Sequence, residues 1–175
     1  MQTLSLSLSL IAAVAACTTT PTPRNPTVHT DANKQVIRRL YEDCINPGRL
    51  DVLAELVSDD YVGPRGERGA AGFATTITGL RAGFPDIQFT LDDLVAEADR
   101  VTVRWTWHAT HAGTVAGPAG RFAATGKAIS NTAIAIYQLS DRKIVHAWLE
   151  SDRLGVLQQI GALPASFSAP PPPRP

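Results

Sequence analysis

Hydrophobic positions at the start of the folded region follow the spacing of an amphipathic helix. Between Asn33 and Ile45, apolar residues recur every three or four positions with charged residues between them. Thr30 or Asp31 is suited to cap the start of this helix. Asn46-Pro47-Gly48 is suited to end it, because proline lacks a backbone donor and glycine accepts a left-handed conformation.

More helical spacing is present before the strands begin. The pattern predicts a short helix over Leu50 to Val57, a brief strand over Tyr61 to Gly63 and a loop over Gly66 to Gly72. Apolar residues then recur at helical spacing from Phe73 to Phe84, so a third helix is predicted to end before Pro85. Three helices therefore precede the sheet.

From Ile87 the pattern changes to the alternation of β-strands. The next strand has two distinct faces, one with Val101, Val103, Trp105 and Trp107 and the other with Arg104, Thr106 and His108. A third strand is predicted over Ala128 to Leu139, and the turn Asp141-Arg142 joins it to an antiparallel fourth strand over Lys143 to Glu150. This order predicts an α+β domain, with N-terminal helices packed on a curved, mainly antiparallel sheet.

The two ends of the chain differ from the part between them. The first charged residue is Arg24, and the uncharged start is typical of an export signal. Val14 to Cys17 resembles the bacterial lipobox, which predicts acylation of Cys17 and an envelope lipoprotein, while Ala13-Val14-Ala15 offers ordinary cleavage and a secreted soluble protein. The predicted organisation is an export signal (1–16), a Thr/Pro-rich tether (17–32), one domain (33–163) and a Pro-rich disordered tail (164–175).

Charge and composition narrow the class of partner. The 175 residues include 16 basic and 16 acidic side chains, without a Lys/Arg-rich run, so no nucleic-acid partner is expected. Contact with a membrane is expected only through the N-terminal lipid. The 44% hydrophobic content suffices for one core, and a small hydrophobic molecule is the expected partner.

A series of short motifs resembles the SnoaL-like polyketide cyclase (ester cyclase) family. The likeness runs from about Asn33 to Gly161 and is carried by Leu40-Tyr41-Glu42, Asn46-Pro47-Gly48-Arg49-Leu50-Asp51, Phe84-Pro85-Asp86, Asp99-Arg100-Val101, Thr110-His111-Ala112-Gly113, Thr125-Gly126-Lys127, Lys143-Ile144-Val145 and Trp148-Leu149-Glu150-Ser151-Asp152. The resemblance implies a nuclear-transport-factor-2-like cone with a pocket for a small, largely apolar molecule. It also implies a homodimer formed through the open sheet face. Because this fold hosts unrelated reactions and pure binders, function depends on the site.

The same resemblance assigns a general acid and base to Asp152. In the family's characterised cyclases, an Asp after the last strand moves a proton in an intramolecular aldol closure, and Asp152 holds the matching position. An apolar pocket raises the pKa of such a carboxyl toward the working range. Asp152 also precedes the last predicted helix, Leu154 to Ile160, and is equally suited to cap it.

Other candidate site residues lie on or near the last strand. If that strand is regular, it presents Ile144, His146, Trp148, Glu150 and Asp152 on one face. His146 and His111 are candidates to polarise a carbonyl, or are structural histidines. The candidates to line a pocket are Trp148, Trp105, Glu150, Tyr61 and Phe84. Core packing explains the tryptophans equally well, and solvent exposure explains Glu150.

No motif in the sequence requires a metal or a cofactor, and none is predicted. Metal-ligand spacings and a Gly-x-Ser-x-Gly elbow are missing from the sequence, and Cys44 fits an inert core thiol. Two functions remain open. One is a cofactor-free cyclase or isomerase that moves a proton on a carbonyl-containing apolar molecule. The other is a non-catalytic envelope lipoprotein that binds or carries a small hydrophobic ligand.

Overall fold

The domain consists of a curved sheet with helices over one of its faces. The computed structural model describes residues 26–117 and 120–163. The predicted export signal, most of the tether and the Pro-rich tail therefore lie outside the described residues. Within the described ranges, no helix is both long enough and apolar enough to cross a membrane.

The first helix, α1 (Pro26–Arg39), begins earlier than the sequence pattern predicts. Thr30 and Asp31 lie within the helix and do not cap it. Proline suits the first turn of a helix because its missing N–H is not needed there. The helix continues as a π-helical turn (Leu40–Ile45) and ends at Asn46, whose N–H donates to the Tyr41 carbonyl at 2.9 Å.

The next two helical segments differ from the prediction, the first in its length and the second in its starting residue. A 3-10 turn (Leu50–Val52) leads into α2 (Leu53–Leu56), and strand β1 (Val57–Val62) follows at once. Helix α3 (Gly69–Gly83) begins inside the segment predicted as a loop. The residues before Phe73 are alanines and glycines, which form no helical hydrophobic pattern. The first turn of α3 could therefore not be predicted from the sequence.

Four long strands complete the main sheet with β1: β2 (Gln88–Glu97), β3 (Arg100–Thr110), β6 (Ala128–Ser140) and β7 (Lys143–Ser151). Their order is β1-β7-β6-β3-β2, and every pair is antiparallel except β1 with β7. A small hairpin of β4 (Val115–Gly117) and β5 (Gly120–Phe122) was not predicted. Helix α4 (Arg153–Ile160) closes the domain.

The inner face of the sheet packs against the helices and forms the core. On β3 the predicted alternation is confirmed: Val101, Val103, Trp105 and Trp107 are buried, and Arg104 and His108 on the other face are exposed. Asp141 and Arg142 have φ values of 49° and 62°, as a tight antiparallel hairpin turn requires. The predicted α+β architecture is thus confirmed.

Two side-chain amides complete the sheet where strands lack a neighbour. At β2, the Asn46 amide donates to the Phe89 carbonyl at 2.9 Å and accepts the Phe89 N–H at 2.8 Å. At β6, the Gln159 amide makes the same pair of bonds to Ser130, at 2.8 and 2.9 Å. Each amide supplies the donor and the acceptor that a neighbouring strand would offer.

Candidate functional site

The structure separates the eight predicted site residues into two groups of four. His111, Trp105, Tyr61 and Phe84 are buried inside the domain, each with no more than 5% of its surface exposed. His146, Trp148, Glu150 and Asp152 lie outside the core and are exposed or partly exposed. The sequence had placed candidates from both groups in one pocket.

A bulge in β7 causes this separation. Gln138 pairs with His146 while the next residue, Leu139, pairs with Ile144, so Val145 is an extra residue in the strand. One extra residue moves every later side chain to the opposite face. Ile144 is buried before the bulge and Ala147 after it, so the prediction that Ile144 shares a face with His146, Trp148, Glu150 and Asp152 is wrong.

The displaced group forms an aromatic cluster on the outer face of the sheet. The His146 and Trp148 rings meet edge to face with centroids 4.2 Å apart, and the Arg100 guanidinium lies 5.3 Å from the Trp148 ring centroid. Trp148 remains 41% exposed. This cluster is a surface feature, and it does not line the interior.

Asp152 is exposed and caps α4. Its Oδ1 accepts the Gly155 N–H at 2.7 Å, which satisfies one of the free donors at the start of the helix. The far end of α4 stops at Gly161, whose φ of 79° is the left-handed conformation that glycine accepts most easily. These contacts support the capping interpretation, and a catalytic role for Asp152 remains a prediction.

His111 is the most enclosed polar residue of the predicted site. Its exposed fraction is 0%, and its Nδ1 lies 3.0 Å from Thr125 Oγ1. The backbone is held as firmly: the His111 N–H donates to the Lys127 carbonyl, and the His111 carbonyl accepts the N–H groups of Thr125 and Gly126. The ring is therefore fixed in position, with Nε2 buried and without a hydrogen-bond partner in the described part of the chain.

An aromatic ring packs beside this imidazole. The Phe84 ring centroid lies 5.5 Å from that of His111 and 5.1 Å from that of Trp107. Gly113, in the same motif, lies so close to the Ala82 carbonyl that a Cβ would collide with it. The end of α3 can therefore approach the His111 segment closely, and the Phe84 ring packs against the imidazole.

A second group of polar atoms lies farther along the interior, among tyrosines. The hydroxyls of Tyr41 and Tyr137 are 2.8 Å apart, and both side chains are buried. Burial raises the pKa of Tyr41, although Tyr137 and the nearby Trp105 N–H partly offset this effect. The Trp105 N–H therefore interacts with the Tyr41 hydroxyl, although this contact does not reach full hydrogen-bond geometry.

Glu67 is the partly buried carboxylate beside this interior, but loop contacts hold it. Its oxygens accept the Arg65 backbone N–H at 2.8 Å, Arg65 Nε at 3.0 Å and the Thr76 hydroxyl at 3.1 Å. Burial raises the pKa of Glu67, but these hydrogen bonds outweigh it and lower the pKa to about 2. The group stays ionised and stabilises the turn before α3.

Two open grooves lie on the surface of the domain. One, of about 480 Å³, is lined in part by Ala109 and Thr110, which directly precede His111 on β3. The other, of about 560 Å³, is lined in part by Asn33 on α1 and Leu139 on β6. Neither groove is an enclosed hollow at the centre of the domain, which the tyrosine, tryptophan and phenylalanine side chains occupy.

The described residues offer little support for a metal site or for a reactive thiol. No three His, Cys, Asp or Glu side chains there come together as a metal site. Cys44 is buried in the core, and burial raises the pKa of its thiol to about 11, which keeps it protonated and unreactive at neutral pH.

Sequence motifs could locate only part of this site. Tyr41 and Tyr137 were not predicted as site residues, because a tyrosine in an apolar stripe is indistinguishable from core. The available signal was positional: Tyr137 continues the inward alternation of Ala133 and Ala135 on β6.

Helices over a curved sheet, with a polar aromatic interior, define the nuclear-transport-factor-2-like class of α+β domains. Within that class, the family model described as SnoaL-like polyketide cyclase matches residues 35–160, which is more than half of the chain. The protein belongs to the SnoaL-like polyketide cyclase family.

Solved structures of this class resemble the domain over nearly their whole length. TsrD from Streptomyces laurentii is 29% identical with a TM-score of 0.68, and the match covers 76% of this chain and 97% of TsrD. IdmH from Streptomyces antibioticus, a candidate polyketide cyclase, is 28% identical with a TM-score of 0.63, covering 74% and 98%. A SnoaL-like protein from Jannaschia is 19% identical with a TM-score of 0.70, covering 82% and 99%, and shares the fold. No curated protein matches the sequence.

Proposed function

We propose that the protein is a cofactor-free cyclase or isomerase that moves a proton on a small, apolar, carbonyl-containing molecule, with His111 as the acid and base. The observation that carries this proposal is the unpartnered Nε2 of a fully buried imidazole. A neutral imidazole can accept or donate a proton near neutral pH, and apolar surroundings strengthen its interaction with a polar substrate atom.

Thr125 supports this role by orienting the ring. A hydroxyl can accept a proton from Nδ1 or donate one to it, so Thr125 holds the ring while Nε2 serves as acceptor or donor. Nucleophile and acid–base sites commonly rely on such a third group to hold the reacting side chain. A groove opens beside Ala109 and Thr110, the two residues before His111, and its lining also includes outer-face residues such as His108.

Proton exchange at carbon tests the proposal without knowledge of the natural substrate. The full chain is incubated in D2O with aryl ketones such as 2-tetralone, and NMR follows the loss of α-protons. We expect faster exchange with the wild-type protein and a loss of roughly 100-fold or more of that acceleration in His111→Gln. His146→Gln is the matched control, because His146 lies on the outer face of the sheet and lines neither of the two grooves described above.

The same assay separates His111 from Asp152, the acid and base that the family resemblance suggests. If His111 carries the reaction, Asp152→Asn retains exchange because asparagine also caps helices well. Loss of exchange in Asp152→Asn, with normal exchange in His111→Gln, would assign the reaction to Asp152 and contradict the proposal.

A second candidate function is the binding or carriage of a hydrophobic ligand without turnover. One observation favours it: the buried polar and charged side chains of the described ranges are Asn33, His111 and Asn131, and none of these is a carboxylate. Tight binding of the ketones together with unaccelerated α-proton exchange would support carriage over catalysis.

We also propose export and acylation at Cys17, based on the uncharged start of the sequence and the lipobox-like Val14 to Cys17. Expression in a bacterium supplied with an alkyne-bearing fatty acid tests this directly. We expect label on the wild-type chain and none on Cys17→Ser. Label on neither chain would favour ordinary cleavage and a secreted soluble protein.

Pairing of two copies through the outer sheet face is a further part of this proposal. Val95, Ile134 and Trp148 are 65%, 49% and 41% exposed on that face. Apolar side chains left exposed together on an uncovered sheet are typical of an interaction surface.

A further inference from the structure

The groove of about 560 Å³ lies at the opposite end of β3 from His111. His111 follows the last residue of this strand, whereas the groove includes the turn before its first residue. Helix α1 contributes His29 and Asn33 to the groove, and β6 contributes Leu139. The β2–β3 and β6–β7 turns contribute Ala98, Asp99, Asp141 and Arg142.

The backbone of these two turns is unusual. All three non-glycine residues with positive φ in the described ranges line this groove, namely Ala98 (50°), Asp141 (49°) and Arg142 (62°). Glycine adopts such a conformation without strain, whereas the Cβ of alanine makes it unfavourable. Strained residues of this kind cluster at sites that bind ligands, so Ala98 indicates a functional geometry in this groove.

Asn33 presents a buried amide to the groove. Its side-chain Nδ2 donates to the Ala98 carbonyl at 3.3 Å, which ties α1 to the strained turn. No residue in the described ranges donates a hydrogen bond to its Oδ1, although only 8% of Asn33 is exposed. A buried acceptor without a donor costs free energy until a donor binds. The groove therefore favours a ligand that carries N–H or O–H groups.

Charged side chains of both signs surround this amide. Asp141 and Arg142 form no ion pair with any other residue that the structure describes, unlike Arg104, which binds two carboxylates. One oxygen of Asp99 accepts Gln138 Nε2 at 2.7 Å, and its other oxygen is left for a ligand. Carboxylates bind ammonium groups, and a guanidinium binds a carboxylate through two parallel hydrogen bonds. The groove thus offers partners for both charges of a zwitterion.

We propose that this groove binds a small zwitterion of the α-amino acid type. Its ammonium group donates to Asn33 Oδ1 between the two carboxylates, and its carboxylate binds Arg142. Leu139 and the Ala98 methyl group provide apolar contact for a side chain such as that of leucine. This site does not depend on the proposed reaction, which is placed beyond the other end of β3.

The test compares leucine with two analogues that each lack one charged group. Removing the carboxylate gives 3-methylbutylamine, and removing the ammonium group gives 4-methylpentanoate. Titration of the full chain, followed by proton–nitrogen NMR, measures each affinity, and both enantiomers of leucine are used. We expect one enantiomer to bind about tenfold or more tightly than either analogue, the usual value of a hydrogen bond to a charged group. The backbone signals of Ala98 and Leu139 should shift.

Two variants remove the charges one at a time. Asp141→Asn should weaken leucine and 3-methylbutylamine but not 4-methylpentanoate, and asparagine tolerates the left-handed turn. Arg142→Gln should weaken leucine and 4-methylpentanoate but not 3-methylbutylamine. Because each variant spares one probe, general loss of structure cannot produce this pattern. Asp60→Asn and Arg121→Gln, exposed outside the groove, are the matched controls and should change no affinity.

Three results would overturn the site. The first is that neither enantiomer of leucine binds, and the second is that one analogue binds as tightly as leucine. The third is a preference for leucine that persists in the Asp141→Asn/Arg142→Gln double variant, which would place its binding elsewhere. None of these results bears on proton exchange at His111, so the two proposals can fail separately.

Discussion

The inner and outer faces of the same sheet differ in the kind of polar group they carry. The outer face bears paired charges, such as Arg104 with Asp92 and Asp93 at 3.0 and 2.7 Å, and these pairs are exposed to solvent. The inner face bears neutral donors, the tyrosine hydroxyls, the Trp105 N–H and the His111 imidazole, buried among rings. Screened surface pairs contribute little free energy, whereas a buried polar atom without a partner, such as His111 Nε2, costs free energy that a bound ligand can offset.

The comparison also shows how one residue changes the apparent chemistry of a strand. The last strand contains a histidine, a tryptophan and one acid, and a second acid follows it, a group that resembles a catalytic set in the sequence. The extra residue at Val145 places them outside, so the inner face there carries Ala147 and Leu149 instead. The following predictions concern this contrast between the two faces.

The largest expected effect comes from shortening an inner isoleucine. Ile37→Ala should reduce the free energy of unfolding by about 3 kcal/mol, because it removes buried methyl groups and leaves a cavity. Ile134→Ala on the outer face should cost only about 0.5 kcal/mol. Urea unfolding measures both. Equal losses of unfolding free energy in the two variants would contradict the burial of Ile37 and the exposure of Ile134.

Glu67 provides the next effect, and it depends on pH. Its pKa in the folded state is about 2, below the ordinary 4.5, so its contribution is present above pH 4.5 and is lost as pH falls toward 2. The contribution at neutral pH is about 2 kcal/mol, allowing for partial screening. Glu67→Gln should be less stable at pH 7 by this amount, and the difference from wild type should disappear near pH 2. Glu150→Gln, on the exposed face, is the control, and an equal loss there would refute the assignment.

A smaller effect is expected for the cap of α4. Asp152→Ala should reduce the free energy of unfolding by about 1 kcal/mol, and Asp152→Asn by much less, because asparagine accepts the same N–H. Chemical denaturation of the three proteins measures this order. If Asp152→Ala is as stable as wild type, the bond to Gly155 does not stabilise the helix.

The smallest effect on stability belongs to the outer face. Ile134→Lys should change the free energy of unfolding by no more than about 0.5 kcal/mol, because the side chain is already half exposed. If two copies pair through this face, the same change should halve the mass measured by light scattering. An unchanged dimer mass would place the interface elsewhere.

Most secondary structure follows from periodicity, but the position of the site does not. The alternation of Val101, Val103, Trp105 and Trp107 is enough to assign the buried face of β3, because every second residue is apolar. The bulge at Val145 has no such signal, since Val145 is compatible with either face. The hydroxyl pair of Tyr41 and Tyr137 joins residues 96 positions apart, which only the packed structure brings together.

The indole N–H signals offer the most direct test that ligands bind on the inner face. The chain contains three tryptophans, Trp105, Trp107 and Trp148, whose cross-peaks in a proton–nitrogen NMR spectrum can be assigned by single replacement with phenylalanine. Titration with 2-tetralone should shift the signals of Trp105 and Trp107, whose side chains are buried on the inner face, and leave the Trp148 signal unchanged. A shift of Trp148 with no change at Trp105 would contradict the account.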